Sequence, residues 1–162
     1  MKLTYATAPI PPGPQGTKRQ REREAVAQLA ARLVAPGAVV SHDAAGAPFL
    51  PDYPDVRISV SHSAQRAALA VSDSPVGIDV EESSPRIDRV IGRVTTTDDD
   101  LSLPALTLWT VKEAVFKASM IPDLTIGEIA VSADGSASAR GRLFSWSNPA
   151  PGVAIATPVS LD

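Results

Sequence analysis

Apolar residues recur at helical spacing in two stretches of the chain and at strand spacing in six. In "TKRQREREAVAQLAARLVAPG", Val26, Leu29, Ala30 and Leu33 fall on one face of a helix from about 18 to 35, which Pro36-Gly37 stops. A second helix spans about 104 to 120, where Leu108, Val111, Val115 and Ala118 make one stripe. Strand-like runs are "RISV" (57–60), "RAALAVS" (66–72), "PVGIDV" (75–80), "GEIAVSA" (127–133), "ARGRLFSW" (139–146) and "GVAIATPV" (152–159), with a turn at Asp134-Gly135. Between them lie a Pro/Gly-rich tether at 9–16, a turn-rich stretch at 41–56 and a polar connection containing "RVTTTDDD". The pattern is a helix plus three strands, twice. It predicts a mixed α/β (α+β) domain of two similar lobes, each a helix on a small antiparallel sheet. Their expected spans are about 18–81 and 82–162, after an N-terminal arm over 1–17. A cleft between such lobes is a common ligand site.

Composition narrows the chemistry. With 44% hydrophobic and 20% charged residues, 162 residues make one ordinary globular domain. The net charge of −3 argues against a general nucleic-acid surface, although a local basic patch is compatible with it. There is no cysteine, hence no disulfide and no thiolate metal site, and two histidines cannot build a three-histidine zinc centre. No stretch approaches the roughly 20 apolar residues of a membrane span, and the start lacks a signal-peptide core, so a cytoplasmic monomer is the expectation.

Against that background, "LWTVKEAVFKAS" (108–119) is unusual, because it holds two of the four lysines and a glutamate among apolar residues. Glu113 and Lys117 are i,i+4 neighbours on a face shared with Trp109 and Phe116. Desolvating charges there is expensive, unless they form a simple helix pair at a domain edge or serve something bound beside the helix. "VGIDVEE" offers partners. On a strand, Asp79 and Glu81 point to one face and Val80 to the other, while Gly77 leaves room for a close backbone approach. A solvated acidic face explains that alternation equally well. Three carboxylates with almost no imidazole would suit a hard cation such as Mg²⁺, whose shell substrate phosphates complete. Lys112 and Lys117 would then neutralise those phosphates. In "ISVSHSA", His62 and the serines around it are either a structural strand end or a phosphate-binding cluster. "KRQRER" (18–23) is either a solvated helix face or a docking surface for an acidic partner.

These segments carry a resemblance. "GAPFLPDYPDVRISVSHS", "GIDVE" and "WTVKEAVFKA", in this order, resemble the G-K-P-x-x-P…S-x-S-H-S, G-[IV]-D-[IV]-E and W-x-x-K-E-A-x-x-K motifs of 4′-phosphopantetheinyl transferases. The likeness is to the surfactin-synthetase-activating type, distantly related to holo-acyl-carrier-protein synthase, and runs from about 18 to 133. It implies a pseudo-twofold fold with the active site between lobes. It also implies Mg²⁺-dependent (Mn²⁺ possible) transfer of 4′-phosphopantetheine from coenzyme A to a serine of an acyl or peptidyl carrier protein, releasing adenosine 3′,5′-bisphosphate. By motif match, Asp79, Glu81 and Glu113 would hold the metal, with Lys117, Glu113 and Asp99 catalytic. His62, Ser61, Lys112, Lys117 and Arg23 would bind coenzyme A. Departures from the pattern are Ala47 in place of the G-K-P lysine, Asp99 at the position of a glutamate base (with Asp98 and Asp100 as competitors), and a short N-terminal lobe. These motivate the alternative of a catalytically silent paralogue that binds coenzyme A or a carrier without turnover.

Overall fold

In a computed structural model of the chain, residues 2–13 and 16–160 are described. Residues 1, 14 and 15 of the expected arm, and 161–162 of the domain, lie outside them. The elements are β1 (Thr4–Pro9), α1 (Lys18–Leu33), β2 (Ser41–His42), β3 (Pro48–Phe49), β4 (Arg57–His62), β5 (Arg66–Ser72), β6 (Gly77–Val80), α2 (Pro85–Val94), α3 (Ala105–Ser119), β7 (Ile129–Val131), β8 (Ser136–Ala139), β9 (Arg142–Ala150) and β10 (Val153–Pro158). Every strand pairing among the described residues is antiparallel, in sheets ordered β1-β5-β4, β6-β10-β9-β8-β7 and β2-β3. The α+β class expected from the sequence is the class observed.

Helix α1 starts where a threonine can cap it. The Gln20 N–H donates to Thr17 Oγ1 (3.1 Å) and the Thr17 N–H to Gln20 Oε1 (2.7 Å), a reciprocal capping box. Its Ala25, Val26, Leu29 and Ala30 pack on Ala6, Ile58, Leu69 and Val71 of the three-stranded sheet. Alternate residues of β5 face the other way. Ala68 and Ala70 meet Ile78, Val80, Val153 and Ile155, so β5 is apolar on both faces. Beyond them, Val111, Val115 and Ala118 of α3 cover Ile129, Val131, Phe144, Ala154 and Ala156 of the five-stranded sheet. The helices therefore sit on the outside, with the two larger sheets between them.

Several placements differ from the sequence expectation: the run 139–146 is broken by a turn at Arg140-Gly141 between β8 and β9, and the turn-rich stretch 41–56 holds the short strands β2 and β3. Residues 4–9, expected as part of an arm, form the edge strand β1, in register from Thr4↔Val71 to Pro9↔Arg66. The run 75–80, grouped with the first lobe, instead pairs with β10 (Asp79 opposite Ala154) and joins the second sheet. The polar connection contains α2, which buries Ile87 and Ile91 and begins with Pro85 in its first turn.

The two larger sheets are joined by side chains. The Ile78 N–H donates to Ser59 Oγ (3.0 Å) and the Val80 N–H to Ser61 Oγ (3.1 Å). Alternate serines of β4 thus satisfy edge donors of β6 that have no strand neighbour on that side. On its other face β6 meets α3 without an intervening side chain. A Cβ at Gly77 would lie 1.8 Å from the Ala114 carbonyl oxygen and 2.8 Å from the Ala118 nitrogen. Gly77→Ala must therefore push helix from strand, and unfolding in urea should show a loss of about 1–3 kcal/mol or more. A loss under about 0.5 kcal/mol would contradict this contact.

Candidate active site

Because Gly77 has no side chain, α3 lies close enough for Lys117 to reach across β6. Its Nζ donates to the Ile78 carbonyl (2.9 Å) and to Asp79 Oδ1 (3.0 Å). The Ser61 hydroxyl donates to the same Asp79 oxygen (3.0 Å). Asp79 is only 6% exposed, and its second oxygen, Oδ2, is buried without a partner among the described residues. Burial raises the Asp79 carboxyl above its ordinary range, against the opposing pull of Lys117 and Ser61.

Glu81 and Glu113 stand in the electrostatic field of Asp79. Burial first, then the Asp79 charge, raises both carboxyls, while Lys117 and Arg86 oppose the shift. Asp79, Glu81, Glu113 and Lys117 therefore form one interacting group, assembled from one strand and one helix. Among the described residues, no three carboxylates or imidazoles close into a metal cage. The donor chemistry nevertheless fits a hard cation in an open site. All three groups offer oxygen, they repel one another, and one buried carboxylate oxygen lacks a partner.

Lys117 also lines a cleft of about 870 Å³ beneath the 43–57 segment, together with Ala47, Phe49, Tyr53, Arg57 and Phe116. Phe49 and Phe116 keep 43% and 40% of their surface exposed, so this wall is apolar and open to a ligand. Arg86, whose charge acts on Glu81 and Glu113, was missed by the sequence reading of the site. It had a legible signal, a cation five residues after Glu81 at the start of a helix.

Other expected site residues lie elsewhere. Lys112 and Asp99, assigned to phosphate binding and to base catalysis, pair with each other at 2.8 Å with no side-chain exposure on either. Lys112 also donates to the Ile129 carbonyl, while Asp99 accepts from the Thr96 and Val131 N–H groups (2.7 and 2.9 Å). Both side chains are committed to each other and to backbone groups behind α3. The hydroxyl of Ser61 is committed to Val80 and Asp79 and is not open to phosphate. His62 stands at the exposed end of β4 with its Nδ1 3.5 Å from Glu22 of α1. Arg23 is exposed on α1. Asp98 is exposed in the turn, and Asp100 accepts from the Ser102 N–H and hydroxyl.

No protein-family model matches the chain. Two curated proteins do match, each over 82 residues and 44% of this chain. One is a 4′-phosphopantetheinyl transferase of Bacillus subtilis (29% identical), the other the 4′-phosphopantetheinyl transferase psf-1 of Bacillus pumilus (37% identical). The matched stretch covers 37% and 35% of those proteins, so the chain corresponds to little more than a third of their length. These matches support the 4′-phosphopantetheinyl transferase superfamily read from the three motifs. No helix among the described residues is long and apolar enough to cross a membrane.

Two outcomes follow from these positions. Lys112→Ala leaves Asp99 as a buried unpaired charge and should cost about 3–5 kcal/mol in urea unfolding. Arg23→Ala, on an exposed face, should change stability by less than about 0.5 kcal/mol. Equal, small effects of both would refute the structural role of the buried pair.

The second outcome concerns pH. A carboxyl raised in the folded state keeps its proton where the unfolded chain has lost it. Stability then falls as pH rises from the ordinary glutamate value of 4.5 through the raised one. In EDTA, Glu113→Gln should therefore have a higher Tm than wild type at about pH 8, with the two converging near about pH 4. A lower Tm for the variant at both pH values would show that Glu113 is net stabilising.

Proposed function

We propose that this chain transfers 4′-phosphopantetheine from coenzyme A to a serine hydroxyl of an acyl or peptidyl carrier protein. One observation carries the reading. The second and third motifs, which supply the expected catalytic groups, converge on a single group of Asp79, Glu81, Glu113 and Lys117 beside an apolar cleft. The first motif supplies both the serines that hold β6 in place and the 43–57 wall of that cleft.

In this reading the serine oxygen attacks the pyrophosphate phosphorus attached to pantetheine, and the bond to the bridging oxygen breaks. Adenosine 3′,5′-bisphosphate leaves. Asp79, Glu81 and Glu113 would hold a divalent cation, Mg²⁺ or Mn²⁺, which supplies charge neutralisation for the pyrophosphate. Lys117 lies on the border between the carboxylates and the cleft, so its ammonium faces the leaving phosphate and stabilises or protonates it. The serine proton is taken up at this carboxylate group, where Glu113 stands half-buried on α3. Asp99 takes no part, being sealed against Lys112. With Ala47 in place of a lysine, Arg57 is the cation of the cleft wall available to the 3′-phosphate. His62 and Arg23, both exposed on the outer face, would serve carrier docking, where carriers of this class are acidic. The silent-paralogue alternative draws on Lys117 being held by Asp79 and on Ala47.

Incubation of an apo-carrier panel with coenzyme A, Mg²⁺ and the protein, followed by intact mass, tests the reading. Gain of one phosphopantetheine is expected, and Lys117→Ala should lower turnover by about 10²-fold or more with a smaller change in coenzyme A affinity. Binding of coenzyme A without any transfer would favour the silent alternative, and cleavage of coenzyme A without transfer would indicate a phosphoesterase.

A further inference from the structure

Glu81 directly follows strand β6, and its side chain is half-buried and makes no hydrogen bond among the described residues. Its main chain, by contrast, is held from both sides. The Glu81 N–H donates to the Gly152 carbonyl (2.9 Å), and the Glu81 carbonyl accepts from Arg66 Nη2 (3.0 Å). The same guanidinium donates through Nη1 to the Pro151 carbonyl (3.3 Å), so one planar fork bridges the end of β6 and the β9–β10 turn. Arg66 belongs to β5, in the other large sheet.

The rest of the local structure serves this fork. Arg66 Nε lies 3.5 Å from Glu82 Oε1, and the Ser63 hydroxyl donates to that oxygen at 2.6 Å. Ser63 also closes the β4–β5 turn, accepting from the Arg66 N–H (3.1 Å). Gly152 has φ +69°, and a Cβ there would lie 2.0 Å from the Glu81 carbonyl oxygen and 3.0 Å from Arg66 Nη2. Only glycine allows the turn and the guanidinium to meet over that carbonyl. Charges acting on the Glu81 carboxylate are those of Asp79, Arg86, Glu82 and Lys117. Arg66 acts on the Glu81 peptide, which is a positional and not a titrational effect.

We propose that Arg66 is a positioning residue: by bridging the Glu81 and Pro151 carbonyls it fixes the end of β6 and aims the Glu81 carboxylate at the space beside Asp79. The proposal rests on the reading that Asp79, Glu81 and Glu113 hold a divalent cation. Groups that orient a metal ligand from behind typically change metal affinity by about 10–100-fold when removed.

The test is Mn²⁺ binding, followed by electron paramagnetic resonance, in wild type and Arg66→Ala, with circular dichroism to establish folding. Expected is a rise of about 10-fold or more in the Mn²⁺ Kd, with coenzyme A affinity in EDTA unchanged. Transfer activity should need proportionately more Mn²⁺ for half-saturation and recover most of kcat at saturation, a split that general destabilisation would not produce. If Arg66→Ala does not fold, Arg66→Lys keeps the charge beside Glu82 but cannot bridge two carbonyls, and the same rise is expected there. An unchanged Mn²⁺ Kd in a folded variant overturns the positioning role while leaving the cation reading intact. A wild-type protein that binds no Mn²⁺ overturns the cation reading itself and the proposal with it.

Discussion

Helix α3 lies against strand β6 with backbone touching backbone at Gly77, and the candidate site depends on that approach. A methyl group there would collide with the Ala114 carbonyl, so even the smallest side chain would move the helix outward. Lys117 lies one helical turn beyond Ala114 and reaches both the Ile78 carbonyl and Asp79 only because the helix is this close. The strand is clamped from the opposite direction by the Ser59 and Ser61 hydroxyls, which take its N–H groups. Held from both sides, β6 presents Asp79 in one position.

That position is costly for the folded protein without a ligand. Asp79 is buried, has two donors crowded on one oxygen and none on the other, and stands near two further carboxylates that it pushes toward protonation. A fold selected for stability alone would place an apolar residue here, since replacing buried charges with well-packed hydrophobic ones is often neutral or favourable. Elsewhere the chain shows that it can satisfy buried charge completely. Asp99 and Lys112, with no exposure at all, have an ion pair, two backbone N–H donors and a carbonyl between them. The contrast separates a structural pair from an incomplete arrangement that a bound cation and its substrate would complete.

Much of the fold was legible in the chain, because helix and strand periods differ and both helices read from them are present. The short strands β2, β3 and β8 escaped it, and so did β1 and α2, these two for identifiable reasons. In β1, "TYATAP" alternates, but its apolar positions are mostly alanine and it runs straight into a proline-rich stretch that reads as a tether. In α2, two isoleucines four residues apart and a proline in the first turn are a sound helix signal, yet the flanking serines, threonines and aspartates gave the segment the composition of a loop. The split between lobes was misplaced for a different reason. Which sheet a strand joins depends on long-range pairing, and "GIDV" carries no mark that its partner is β10 and not β5.

The site was half legible, and the missing half lies within the motif that announced it. In "WTVKEAVFKA", the two lysines are five residues apart, which is about 140° around a helix. They cannot face the same ligand. Lys117 points to Asp79 and the cleft, and Lys112 points away from them, to the Ile129 carbonyl and Asp99. A motif records which residues occur together, not which way each one points. The same limit applies to the serines of "SVSHS". Their alternation places Ser59 and Ser61 on one face of β4, and it took the neighbouring strand to show that this face is an inter-sheet seam and not a phosphate site. Functional and structural residues share these short segments because the catalytic groups need a rigid frame within a few ångströms, and the nearest residues in sequence are the ones best placed to build it.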